Sequence, residues 1–158
     1  MPLSLLVVLV LLIGVVVGLR SMTGPALVCW GSYLGWLSLA HTPLGFLSSK
    51  ISLVIFSLLA VGELVADKLP KTPSRISAVP LGARLVSGAL CGAALVLAAG
   101  IWIVVGLAAG AIGALLGAFA GYHVRRALTS GNRFPDLPVA LLEDLIAIGT
   151  GLFVVSRF

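Results

Sequence analysis

The sequence predicts an all-α integral membrane bundle of about six transmembrane helices, and three observations predict it. Of 158 residues, 60% are hydrophobic and only 9% are charged. The mean hydropathy is +1.22. The apolar residues lie in long blocks, and Lys and Arg sit at the block ends, as expected for helices that cross a bilayer and are oriented by positive charge. At 16.2 kDa the chain holds a single transmembrane domain over 1–158 and little else.

A span needs about 20 apolar residues, and roughly 17 suffice for a thin crossing. Five blocks are visible, at 3–19, 25–40, 51–66, 85–121 and 137–156. The first, Leu3 to Leu19, reads as a retained helix rather than a signal peptide. It lacks a basic leading region, and Gly-Leu-Arg-Ser is a poor cleavage site. The fourth block would reach about 55 Å as one helix, so it divides at Gly100, where a glycine accepts the positive φ of a tight turn. The predicted helices are therefore 3–19, 25–40, 49–67, 83–99, 101–127 and 137–156. The block 25–40 is short and leaves re-entry open as an alternative to full crossing.

Charge tests the division. With both termini outside, Arg20, Lys68, Lys71, Arg75, Arg84, Arg125, Arg126 and Arg133 fall on the cytoplasmic side, and Lys50 and Arg157 stay outside. An undivided 85–121 would send Arg125, Arg126 and Arg133 outward, against the positive-inside rule. The expected place is a cell membrane, the inner or plasma membrane, crossed several times. The net charge of +5 thus belongs to topology, and nucleic acid is not an expected partner. Cys29 and Cys91 lie in apolar segments without metal-ligand spacing and read as packing. No metal site or cofactor is expected.

Hydroxyls at Ser21 and Thr23 with Pro25 in the first turn would open the second helix; Asp136 would cap the sixth. A faint echo relates Gly18-Leu19-Arg20 and Gly24 to Gly82-Ala83-Arg84 and Gly88. It reads equally as a parallel hairpin repeat or as chance in a glycine-rich chain. The fifth helix carries Gly106, Gly110, Gly113, Gly117 and Gly121, and shorter pairs occur at Gly14/Gly18, Gly31/Gly35 and Gly88/Gly92. Such glycine-zipper spacing serves close helix packing within one bundle, or a homo-oligomer through the fifth helix.

Charge at membrane depth is costly and usually faces a bundle interior. The candidate binding residues are therefore Arg20, Ser21, Thr23, Glu63, Asp67, Arg84, Glu143 and Asp144. Glu63 and Asp67 share a helix face four residues apart, with Asp67 at the interface and Glu63 a turn deeper. Glu143 and Asp144 lie over a turn inside the last helix and point about 100° apart. Arg20 beside a helix N-terminus makes a competent anion site, and Arg84 a second. The competing structural readings are an internal salt bridge of the acids with Arg20 or Arg84, and ordinary capping. The proline-stiffened stretch 69–75 reads as a basic linker rather than a lid. His41 and His123 read as structural or solvated.

These residues carry a resemblance. Gly18-x-Arg20-Ser21-x-Thr23-Gly24-Pro25, Glu63-x-x-x-Asp67-Lys68-x-Pro70-x-x-Pro73-x-Arg75 and Glu143-Asp144 before Ile146-Ala147 resemble the small bacterial membrane proteins grouped as domain of unknown function 4126. The resemblance implies a multi-pass architecture and no catalytic residues. The expected function is a small transporter or channel-like protein for an ion or small polar or anionic solute. The alternatives are a membrane enzyme acting on a lipid head group with carboxylate-bound metal, and a non-catalytic membrane scaffold.

Overall fold

The computed structural model describes residues 1–68, 76–130 and 134–158. Six α-helices follow one another: α1 (Leu3–Leu19), α2 (Thr23–Tyr33), α3 (Lys50–Ala66), α4 (Ala78–Ala98), α5 (Ile103–Thr129) and α6 (Asp136–Val155), with a 3₁₀ turn at Gly45–Ser48 before α3. No strand occurs among the described residues. Three of the helices, α4, α5 and α6, are long and apolar enough to cross a membrane, and α1 is a shorter apolar helix. This marks a membrane protein.

The long fourth block divides at Gly100 as the sequence predicts. Gly100 has φ +72, its N–H bonds to the Leu97 carbonyl, and the Ile101 N–H reaches back 2.8 Å to the Val96 carbonyl. This is a Schellman ending, which a left-handed glycine completes. The same device corrects the second predicted helix. Gly35 has φ +81, and the Trp36 N–H bonds the Gly31 carbonyl at 2.8 Å, so the helix predicted at 25–40 stops at Tyr33. Eleven residues cover about 16 Å, roughly half a hydrocarbon core. Gly35 is thus a stop signal and not half of a packing pair; a Cβ there would meet nothing. At the other end of the chain's charged loop, α4 begins at Ala78 rather than 83; Pro80 lies in its first turn, where a missing N–H costs nothing.

The helix α1 is apolar on every side, and it is the centre of the bundle. Leu6, Leu9, Val10, Ile13, Val16 and Val17 are all buried, and α1 packs on α2, α4, α5 and α6. The helix α3 lies outside, against α2. Cys29 and Cys91 are buried in the apolar core, as the sequence suggests.

In lipid, helices associate chiefly through close backbone approach, and glycines permit it here. A Cβ on Gly14 would stand 2.5 Å from the Gly110 carbonyl oxygen and 2.8 Å from the Gly113 Cα. A Cβ on Gly18 would stand 2.7 Å from the Gly117 Cα, and one on Gly88 2.7 Å from the Gly110 carbonyl oxygen. The glycines of α5 therefore meet α1 and α4 of the same chain.

Gly14→Ala is expected to destabilise the bundle by about 1–3 kcal/mol, the usual cost of forcing atoms into a filled interface. Gly62→Ala, whose added methyl meets nothing, is the control and should not lower stability. Thermal unfolding of both variants in detergent checks the pair.

Candidate functional site

The break between α1 and α2 places Arg20. Its backbone is extended (φ −141, ψ 103), and its N–H caps α1 through the Val16 carbonyl. The side chain has no exposed surface. A buried guanidinium must be matched by negative charge, and two elements supply it. Nη1 stands 2.6 Å from Asp67 Oδ2 just past the end of α3. Nε and Nη2 lie 2.7 and 2.6 Å from Asp144 Oδ1 in α6. Glu143 Oε2 is 3.9 Å from Nη2.

Each of those carboxylates is shared with a second cation. Lys68 Nζ is 2.7 Å from Asp144 Oδ2 and also donates to the Leu64 carbonyl. Arg125 of α5 bonds Asp67 through Nη1. It also holds Asp136 with two parallel bonds of 2.8 and 2.7 Å, the fork geometry suited to a carboxylate, and lies 3.9 Å from Glu143. Burial alone would raise the Asp67 carboxyl, but the charge of Arg20 and the hydrogen bonds from Arg125 and Arg20 outweigh it. They hold the group below its ordinary value.

A second lobe surrounds Glu63. Its Oε1 accepts the Ser21 N–H at 2.8 Å and the Ser21 hydroxyl at 2.7 Å, and its Oε2 accepts the Met22 N–H at 2.8 Å. Arg84 Nη2 lies 3.8 Å away. Arg84 is itself buried and donates from Nε to the Gly18 carbonyl and from Nη1 to the Pro80 carbonyl. The anion seated at the entrance of α2 is thus the chain's own carboxylate.

All five carboxylates in the sequence take part in these two lobes. The eight residues singled out from the sequence come to one end of the bundle, where α1, α3 and α5 finish and α2, α4 and α6 begin. Several expectations are corrected in detail. Asp67 is a direct partner of buried Arg20, not an inexpensive interface group. Ser21 and Thr23 do not cap α2: the N-cap is Met22, without a side-chain cap, and Glu63 supplies the acceptor from another helix. Thr23 is buried, and its hydroxyl oxygen has no hydrogen-bond partner among the described residues. Asp136 is the first helical residue, with Pro135 as the N-cap, and it spends its carboxylate on Arg125. Glu143 and Asp144, though adjacent, both reach Arg20.

Lys68 and Arg125 are members that sequence reasoning took only for topology-setting charges. The one available signal was position: Lys68 adjoins Asp67, and Arg125 precedes Asp136 across a short connection. The stretch 69–75, with its linker reading, lies outside the described residues, as do 131–133. His123 bonds the Phe119 carbonyl through Nδ1 and takes no part in the cluster. Among the described residues no group of three or more His, Cys, Asp or Glu side chains could hold a metal ion, since the acids turn to cations rather than to one another.

The family described as Domain of unknown function (DUF4126) matches residues 7–156, and the chain belongs to it. No curated protein matches the chain, and no solved structure does.

Removing Arg20 leaves Asp67 and Asp144 buried without their shared cation. Arg20→Met should therefore destabilise the fold, by less than the cost of about 3–5 kcal/mol for a wholly unpaired buried charge because Arg125 and Lys68 remain, and adding Asp67→Asn should restore part of the loss. Unfolding in detergent measures both. Asp67 also sets a pH dependence. Because its carboxyl is held low in the folded state, its contribution is fully present above the unfolded value of about 3.9 and is lost as pH falls through the folded value. Asp67→Asn should flatten the acid limb of a stability–pH curve; an unchanged limb would contradict the assignment.

Proposed function

We propose that the chain is a six-pass membrane protein that carries a small ion or polar or anionic solute, using the charged end as the place where ions exchange. The termini lie outside, and the cluster faces the cytoplasm. The positive-inside rule supports that orientation, since Arg20, Lys68, Arg84, Arg125 and Arg126 share the cluster's end while Lys50 and Arg157 lie away from it. In this reading α2 carries the chain half-way across and the stretch 34–49 carries it the rest.

One observation supports exchange above the other readings: Asp67 and Asp144 each bind two cations from different helices. A carboxylate held by two partners can keep one when it releases the other, so a cation that competes for Asp144 displaces Lys68 while Arg20 keeps its contacts with Asp144 and Asp67. Intramembrane acids with this kind of pairing are used in proton relays and ion pathways. Shared partners on α1, α3, α5 and α6 let such an event move helices against one another.

The test is flux into proteoliposomes for protons, sodium, potassium, chloride and phosphate. Wild type should carry at least one of them, and Glu143→Gln/Asp144→Asn should abolish that flux while the protein still inserts. Wild-type flux from the double variant, or no flux of any of the five from the wild type, rejects the reading.

A further inference from the structure

The glycines Gly110, Gly113 and Gly117 turn one side of α5 to α1 and α4. On the opposite side Leu115, Phe119, Tyr122 and Arg126 recur at the spacing of one helical stripe, with Leu116 and His123 beside it. Leu115, Leu116 and Phe119 are exposed, and with His123 they line a shallow depression. Along the stripe the chemistry changes from apolar to polar. The Phe119 ring stacks on His123 with centroids 6.5 Å apart, and His123 Nδ1 bonds the Phe119 carbonyl at 2.8 Å. Tyr122 meets the imidazole edge-on at 5.3 Å. Its hydroxyl stands 3.5 Å from the Arg126 guanidinium.

Helix length sets where that change falls in a bilayer. Trp102 is 82% exposed and immediately precedes α5. Tyr122 follows twenty residues later, about 30 Å along the helix. That span matches a hydrocarbon core, and Trp and Tyr favour its two interfaces. With Trp102 at one interface, Tyr122, His123 and Arg126 stand at the level of the opposite head groups. Leu115, Leu116 and Phe119 then lie among the acyl chains next to them.

Arg126 brings an uncompensated charge to that level. Arg20, Lys68, Arg84 and Arg125 each have a carboxylate within 4 Å. Arg126 has none among the described residues, which include all five Asp and Glu side chains of the sequence. A cation at head-group depth, a phenol beside it and exposed apolar side chains below them complement an amphiphile with a negative head. A second copy fits less well. Two copies meeting through this stripe in one membrane would hold two Arg126 side chains at the same depth, with no carboxylate between them.

We infer that this outward stripe of α5 is a binding site for an anionic phospholipid, with the phosphate on Arg126 and the Tyr122 hydroxyl and one acyl chain over Phe119 and Leu116. The inference rests on α5 crossing a membrane, for which it is long and apolar enough, and not on the carrier reading.

Native mass spectrometry of the full chain, released from detergent loaded with phosphatidylglycerol or phosphatidylcholine, tests it. Phosphatidylglycerol should be retained about fivefold more than phosphatidylcholine, the factor expected for one basic residue at the head group. Arg126→Gln should bring that ratio close to one, and Arg126→Lys, which keeps the charge, should restore it. Phe119→Ala should lower retention of both lipids. Lys50→Gln, which removes the same charge from an exposed position at the start of α3, should leave the ratio unchanged. Equal retention of the two lipids by the wild type, a ratio unmoved by Arg126→Gln, or a lipid-free dimer that Arg126→Gln strengthens would overturn the inference.

Discussion

Arg20 is a guanidinium with no contact with solvent, and the arrangement of the charged end follows from that burden. Desolvating such a cation costs several kcal/mol, which only well-placed carboxylates offset. The chain places them at the end of α3 and within α6, so both elements must meet the end of α1. Those carboxylates are then over-supplied with cations from Lys68 and Arg125, which brings in α5. A buried ion-pair network of this kind adds little net stability. Its effect is on register: α3 or α6 shifted by one turn, about 5.4 Å, would leave Arg20 facing hydrocarbon.

The glycine contacts and the charges are one system rather than two. Gly18 sits against the backbone of α5 at Gly117 and Ala118, and its carbonyl accepts the Arg84 Nε–H at 3.0 Å. Backbone packing on α5 therefore fixes the last turn of α1, and that turn carries Arg20 into the ionic lobe. Side chains at Gly14 or Gly18 would push α1 away from α5, and the ion pairs would have to follow. Close packing in lipid and charge neutralisation thus select the same helix arrangement.

Much of this was legible in the sequence because both signals are costly to fake. The bounds of α1 were read to the residue, and those of α3, α5 and α6 within a residue or two, since an apolar run between charged ends leaves few alternatives. Gly100 was legible as a break because the run was too long for one helix. Gly35 was not, because Trp36, Leu37, Leu39 and Ala40 continue the hydropathy past a backbone turn that only φ reveals. The acids were legible as a site because carboxylates at depth need a reason. Their partners were not: a Lys or Arg at a helix end is equally suited to snorkelling, so Lys68 and Arg125 carried no mark of being spent inside. The trans-acting cap from Glu63 was hidden for a related reason. Ser21 and Thr23 are good local caps, and nothing local says that a residue forty positions away takes the role.

The two lobes differ in a way that bears on which of them moves. Glu63 is held by two backbone N–H groups and a hydroxyl at 2.7–2.8 Å, all from one short segment that the helix α2 itself orients. Losing Glu63 would take away the acceptor shared by the Ser21 and Met22 N–H groups, so that lobe ties the start of α2 to α3. Asp67 and Asp144 are bound instead by side-chain cations from separate helices, each carboxylate bridging two of them. Bridged partners can be traded one at a time, so the barrier to rearrangement is one ion pair rather than the whole network. That lobe, which joins the end of α3 to α1, α5 and α6, is also the one that adjoins open apolar space, at Arg125 and Glu143.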